Sequence, residues 1–146
     1  MNSSSKLAIV ATTPDDSHSW NLIAVQLELE KRGYSVRNLG PCTPVQFLAE
    51  CIRDTRPSLV VLSTINGHGI HSLKSVIETI DSYQLRRTIS LVAGGNLTTN
   101  SQTSSDVIFE LKNIGFDEIF IGPDSWTEFD KFILSEELSD LPDKYD

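Results

Sequence analysis

Short apolar runs alternate along this chain with longer stretches in which apolar residues recur every three or four positions. The first period is that of buried strands and the second that of amphipathic helices. "LAIVAT" at 7–12 reads as strand one. A helix follows over about 18–32 and stops at Gly33, a usual helix-ending residue. "YSVRNLG" at 34–40 is strand two, with Tyr34, Val36 and Asn38 alternating as in a strand with one more exposed face. "TPVQFLAECIRDT" at 43–55 predicts a helix with Thr43 as N-cap and Pro44 at its first position. "SLVVLST" at 58–64 is nearly all apolar, as in a central strand covered on both faces. A third helix over about 70–84 leads to strand four, "TISLVAGG" at 88–95. A fourth helix over about 104–114 ends at Gly115; strand five is "FDEIFIG" at 116–122, and the last helix covers 125–138.

Five strands thus alternate with five helices over 146 residues. The expectation is an α/β fold: a flavodoxin-like, doubly wound, five-stranded parallel sheet of order 2-1-3-4-5. One domain over 1–138 is expected, followed by an acidic and disordered tail at 139–146. Such sheets bind ligands at the carboxyl ends of their strands, beside the switch point between strands one and three. Four loops lie at that edge: 13–20, 63–69, 94–100 and 122–125.

Charge and length narrow the partners. The formal net charge of −8 argues against nucleic acid, whose phosphates need a basic surface. No apolar run approaches the ~18 residues needed to span a membrane. "MNSSSK" runs straight into a strand, so no signal peptide is expected and the protein is placed in the cytoplasm. Cys42 and Cys51 form no CxxC pair and are read as reduced, buried thiols.

The chemistry-bearing residues cluster in the four loops. In "PDDSHSWNL" at 14–22, Asp16 stands two positions before His18. An Asp there can accept from one ring nitrogen and leave the other free as a metal ligand or base. The tripeptide equally fits a helix cap with an exposed His. In "STINGHG" at 63–69, Ser63 points a hydroxyl at whatever lies against the strand ends, and Gly67 and Gly69 let the backbone approach it. An ordinary glycine-containing turn is the alternative. "AGGN" at 93–96 leaves no side chains at the end of a buried strand, so a flat group could lie on the backbone, or the pair is simply a tight turn. His68 and His71 are read as surface residues, and Trp126 and Phe129 as core or site rim. Neither GxGxxG, a P-loop nor GxSxG is present. A phosphorelay receiver is disfavoured: Ser63 stands where its phosphoacceptor Asp belongs, and strand five lacks its Lys.

Taken together, these loops resemble the cobalamin-binding domain family, and within it the small S (sigma) subunit of glutamate mutase, or methylaspartate mutase. That family carries D-x-H-x-x-G after strand one, S-x-L after strand three and GG after strand four. The counterparts here are "DSHSWN" at 16–21, Ser63-Thr64-Ile65 and Gly94-Gly95, and the likeness extends over about residues 6–134. The resemblance implies that His18 replaces the cofactor's own base as the lower ligand of cobalt in adenosylcobalamin. Asp16 would hold the other imidazole nitrogen, with Ser17 and Ser19 beside them. The displaced nucleotide tail would run between the Ser63-Thr64-Ile65 and Gly67 loop and the Gly94-Gly95 turn, with Gly122 and Pro123 at the same edge. Ser63 could hydrogen-bond the buried base. Asn21 stands where the motif has Gly, and its side chain narrows the tail's entry; Ile65 stands for Leu.

The resemblance also implies an isomerase component with no catalytic residue of its own, acting on carbon skeletons with a large barrel subunit that holds the substrate. The alternative is a stand-alone corrinoid carrier for methyl transfer or another cobalamin enzyme. Only a few residues precede strand one, where methyl-transfer corrinoid proteins usually carry a helical cap, and this weighs against the alternative.

Overall fold

The computed structural model describes residues 6–14, 20–64, 69–95, 104–122 and 124–139. Five parallel strands form one sheet: β1 (Leu7–Ala11), β2 (Ser35–Asn38), β3 (Leu59–Thr64), β4 (Ser90–Gly95) and β5 (Glu118–Phe120). Their order is β2-β1-β3-β4-β5, as the alternation of elements implied. The helices are α1 (Trp20–Lys31), α2 (Val45–Thr55), α3 (Gly69–Ser82), α4 (Ser104–Ile114) and α5 (Ser125–Ser139). A short 3-10 turn, Arg86–Thr88, occupies the place where strand four was expected to begin.

Strand parity divides the core into two layers. Ile9, Val60, Leu62, Leu91, Ala93 and Ile119 pack on one face against α2, α3 and α4, through Leu48, Ile52, Leu73, Ile80, Val107 and Leu111. Ala8, Val10, Leu59, Val61, Val92 and Phe120 pack on the other face against α1 and α5, through Leu22, Val25, Leu29, Phe129 and Ile133. β3 is buried along its whole length, as expected of a central strand whose side chains meet helices on both faces. β2, at the sheet edge, alternates between exposed and half-buried. Arg32, just after α1, approaches Asp130 on α5 at 3.7 Å, an ion pair too long for a hydrogen bond, which links the end of α1 to α5 in the second layer. Ser90 Oγ donates to Glu136 Oε1 at 2.7 Å and ties the start of β4 to α5.

Two expectations are corrected. Thr43 does not cap α2; the N-cap is Pro44, without a side-chain hydrogen bond. The buried Thr43 hydroxyl instead accepts from the Thr12 N–H at 3.1 Å and donates to the Gly40 carbonyl at 2.8 Å. It fastens the loop before α2 to the end of β1, and the long-range bond prevails over the local cap. Both cysteines are free as expected, but only Cys51 is partly buried; Cys42 is exposed. Burial pushes the Cys51 thiol up; the Arg37 guanidinium opposes this, and the Asp54 and Glu50 carboxylates reinforce it. The thiolate is the reactive form, so a thiol-alkylating reagent at about pH 8 should modify Cys42 fast and Cys51 slowly. Cys42→Ser should leave only the slow phase. Two equal rates would contradict this placement. The expected tail at 139–146 lies outside the described residues but for its first.

Candidate functional site

The parity that splits the core also decides which residues at the carboxyl edge share a surface. Ser63 follows Val61 on the α1 and α5 side of β3, whereas Thr64 falls on the opposite side. Gly94 likewise follows Val92. Val61, Ser63, Gly94, Gly95 and Phe120 form the floor of a cavity at the ends of β3, β4 and β5. Asn21 and Val25, one turn apart on α1, form one wall. Ser125, Trp126 and Phe129 at the start of α5 form the other.

The aromatic side is built by edge-to-face contacts. Phe120 and Phe129 have ring centroids 5.3 Å apart at 73°, and Trp126 and Phe129 are 6.1 Å apart at 76°. Phe132 adds a third contact to Phe120 at 5.7 Å, behind the cavity. Such pairs hold each ring in a set orientation and add ~0.5–1.5 kcal/mol each beyond their burial. Trp126 is 47% exposed, which puts it at the rim, and Phe129 is buried.

The cavity measures about 240 Å³. A cavity of ~150 Å³ holds benzene, so this one has the size for a two-ring heterocycle and not for a corrin ring. Among the described residues no ionisable side chain lines it. It therefore suits a flat, uncharged group with a few hydrogen-bonding atoms, and not a phosphate. Among the described residues, four side chains can supply those bonds: Asn21, Ser63 and Ser125, and Trp126 through its indole N–H. The nucleotide base of a base-off cobalamin is a group of this kind, so the residues present fit that end of the cofactor.

The glycine pair has a second role beside leaving space. A Cβ on Gly94 would sit 2.7 Å from the Phe120 carbonyl oxygen, and one on Gly95 would overlap the Thr64 carbonyl. The pair thus lets the ends of β3, β4 and β5 close up beneath the cavity. Two further polar groups cluster at this edge. The Thr12 and Thr13 hydroxyls, at the end of β1, are buried and have no hydrogen-bond partner among the described residues. All the buried polar side chains among the described residues (Thr12, Thr13, Thr43, Ser63 and Thr64) belong to the ends of β1 and β3 or the loop fastened to them. Polar burial is thus concentrated at the switch point, where a ligand would meet it.

The structure therefore brings together Asn21, Ser63, Gly94 and Gly95 from the sequence motifs. Thr64 is buried beside them without lining the cavity, and Gly122, exposed with φ +97°, does not line it either, although its carbonyl accepts from the N–H of Ser125, which does. Asp16, Ser17, His18, Ser19, Ile65, Gly67 and Pro123 lie outside the described residues, as does His68. His71 is exposed on α3, in keeping with its reading as a surface residue. Sequence reasoning did not single out Val25, Val61, Phe120 or Ser125. Two signals would have found Val61 and Val25: the strand period that carries Val61 to Ser63, and the four-residue spacing from Asn21 to Val25.

Comparison with known proteins bears on the same edge of the sheet. The glutamate mutase sigma subunit of Fusobacterium nucleatum subsp. nucleatum is 24% identical over 115 residues, covering 79% of this chain and 84% of that one. The dimethylamine corrinoid protein of Methanosarcina barkeri is 25% identical over 101 residues, but only 47% of its length is covered. A novel cobalamin-binding protein from Desulfitobacterium hafniense DCB-2 shares the fold, with a TM-score of 0.67 and 18% identity over 88% of this chain. The chain spans 58% of that protein's length. The family model for the B12 binding domain matches residues 6–127, a span that runs from β1 into α5 and takes in the cavity lining up to Trp126, and the chain belongs to that family.

Proposed function

We propose that this chain is the cobalamin-carrying small subunit of a glutamate-mutase-like carbon-skeleton isomerase, working in the cytoplasm with a large barrel subunit. The observation that carries the reading is the uncharged cavity at the carboxyl edge, walled by Ser63, Gly94 and Gly95 of the motifs and by the Trp126 and Phe129 rings. It is sized for the nucleotide base, so it favours a cofactor held with that base away from cobalt. The sigma subunits are matched over most of their length, whereas the dimethylamine corrinoid protein is matched over less than half. That difference favours a mutase subunit over the second reading, a corrinoid carrier for methyl transfer.

In this reading His18 would hold cobalt through one ring nitrogen. Asp16 accepts from the other nitrogen, fixing the tautomer and raising the ligand's basicity. Ser63 hydrogen-bonds the base, and the rings of Trp126, Phe129 and Phe120 keep water from it. Ser17, Ser19, Thr64, Ile65, Gly67, Gly122 and Pro123 shape the loops around it. The cofactor domain takes in 1–138, and the acidic residues at 139–146 take no part in binding. The bound adenosyl cofactor supplies a carbon radical by homolysis of its cobalt–carbon bond. The chain's own residues bind and orient the cofactor and offer no acid, base or nucleophile to a substrate.

The test is ligation. His18→Ala should weaken cobalamin binding at least about tenfold, as loss of a metal ligand or its partner does. The Co(II) form of the wild type should show nitrogen superhyperfine splitting in electron paramagnetic resonance, and isotopic change of histidine nitrogen should alter it. Unchanged affinity and spectrum in the variant would remove His18 from cobalt.

A further inference from the structure

Asn21 is the one cavity residue that both departs from the family's motif and carries a donor and an acceptor on one side chain. It lies on the α1 wall, facing a cavity whose other hydroxyl side chains among the described residues are Ser63 and Ser125, with the Trp126 indole N–H as a donor only. Among the described residues none of these three side chains makes a hydrogen bond, although Ser63 is buried. The remaining walls are aliphatic or aromatic. An occupant with a single hydrogen-bonding atom would satisfy one of the three and leave the others facing apolar surface, at the cost of a buried unmade bond.

We propose that Asn21 selects the nucleotide base of the corrinoid, favouring an aminopurine over dimethylbenzimidazole. The inference rests on the cobalamin reading above and goes beyond it. Freed from cobalt, dimethylbenzimidazole offers one ring-nitrogen acceptor and otherwise presents C–H and methyl groups. An aminopurine of similar size offers an amino donor beside a ring-nitrogen acceptor, with further ring nitrogens around its edge. A carboxamide matches that pair with its own acceptor and donor, as asparagine does when it reads adenine. The Ser63 and Ser125 hydroxyls, each able to donate or accept, match the remaining ring nitrogens. The same carboxamide is bulk in the way of the two methyl groups. A site built to make hydrogen bonds discriminates strongly against a ligand that cannot return them.

The experiment titrates the purified protein with three corrinoids carrying the same upper ligand: the dimethylbenzimidazolyl cobamide, the adeninyl cobamide and cobinamide, which has no base. The wild type should bind the adeninyl cobamide roughly tenfold more tightly than the dimethylbenzimidazolyl one, the worth of one bidentate pair. Asn21→Gly should remove this preference, weakening the adeninyl cobamide and tightening the dimethylbenzimidazolyl one. Asn21→Asp keeps the shape but loses the donor, and should also lose the preference; thermal melts would check that both variants fold. Equal binding of the two cobamides by the wild type would overturn the inference and leave the cobalamin reading intact. So would a preference that survives both substitutions. If cobinamide bound as tightly as either cobamide, the cavity would contribute nothing to affinity, and the inference would fall in the same way. Binding of none of the three would overturn the inference together with the reading beneath it.

Discussion

Gly95→Ala should remove about 3 kcal/mol or more of folding stability, a large part of the ~5–15 kcal/mol of an ordinary domain. Two separate causes act at this residue. Its φ is +120°, which side-chain-bearing residues rarely adopt. Its Cβ would also overlap the Thr64 carbonyl, the backbone of the strand it pairs with. Neither cause is relieved by a rotamer change, because no side chain stands in the way. Gly94→Ala should cost less. Its Cβ would be 2.7 Å from the Phe120 carbonyl oxygen, so the backbone of β5 must still shift, but no positive φ adds to that cost and the overlap is smaller than at Gly95. Urea denaturation of the three proteins gives the ranking, read from the midpoints at unchanged slope. A loss below about 1 kcal/mol for Gly95→Ala would mean that the end of β4 yields, and that the glycine is not required by packing.

This pair also shows where the sequence could and could not be read. "AGGN" at the end of a buried strand pointed to missing side chains at the ligand edge, and both glycines do line the cavity. The closeness of β3 and β5 to the pair was not readable, because it depends on a register set by residues far along the chain. The order of elements was readable for a physical reason: β1 and β3 are nearly uninterrupted apolar runs, and longer helical stretches separate the strands. The aromatic wall was only half readable. Trp126 and Phe129 were recognisable as core or rim, but their partner Phe120 is brought to them by α5 folding over β5. Thr43 illustrates the same limit. A threonine before proline at a helix start satisfies the local rule for a cap, yet its hydroxyl serves β1, thirty-one residues earlier. Local signals hold where nothing distant competes for the same atom.

The chain alone should catalyse no rearrangement at all, whereas the chain with a barrel subunit and adenosylcobalamin should interconvert glutamate and 3-methylaspartate, or a close analogue. The cavity is too small to hold an amino acid beside the cofactor's base. Among the described residues, none that lines it is a charged group that would fix a substrate carboxylate or ammonium. In the proposed function the substrate is therefore bound by the partner, docked over the carboxyl edge. Radical chemistry also needs a closed, water-poor site. In the proposed function the partner closes that edge, so cobalt–carbon cleavage should wait for both partner and substrate. Stopped-flow absorbance on mixing the four components should register the cleavage, and omission of any one should abolish it. Turnover by the chain alone would refute the two-component reading. Failure with every barrel subunit tried, while cobalamin still binds through His18, would shift the assignment to a corrinoid carrier.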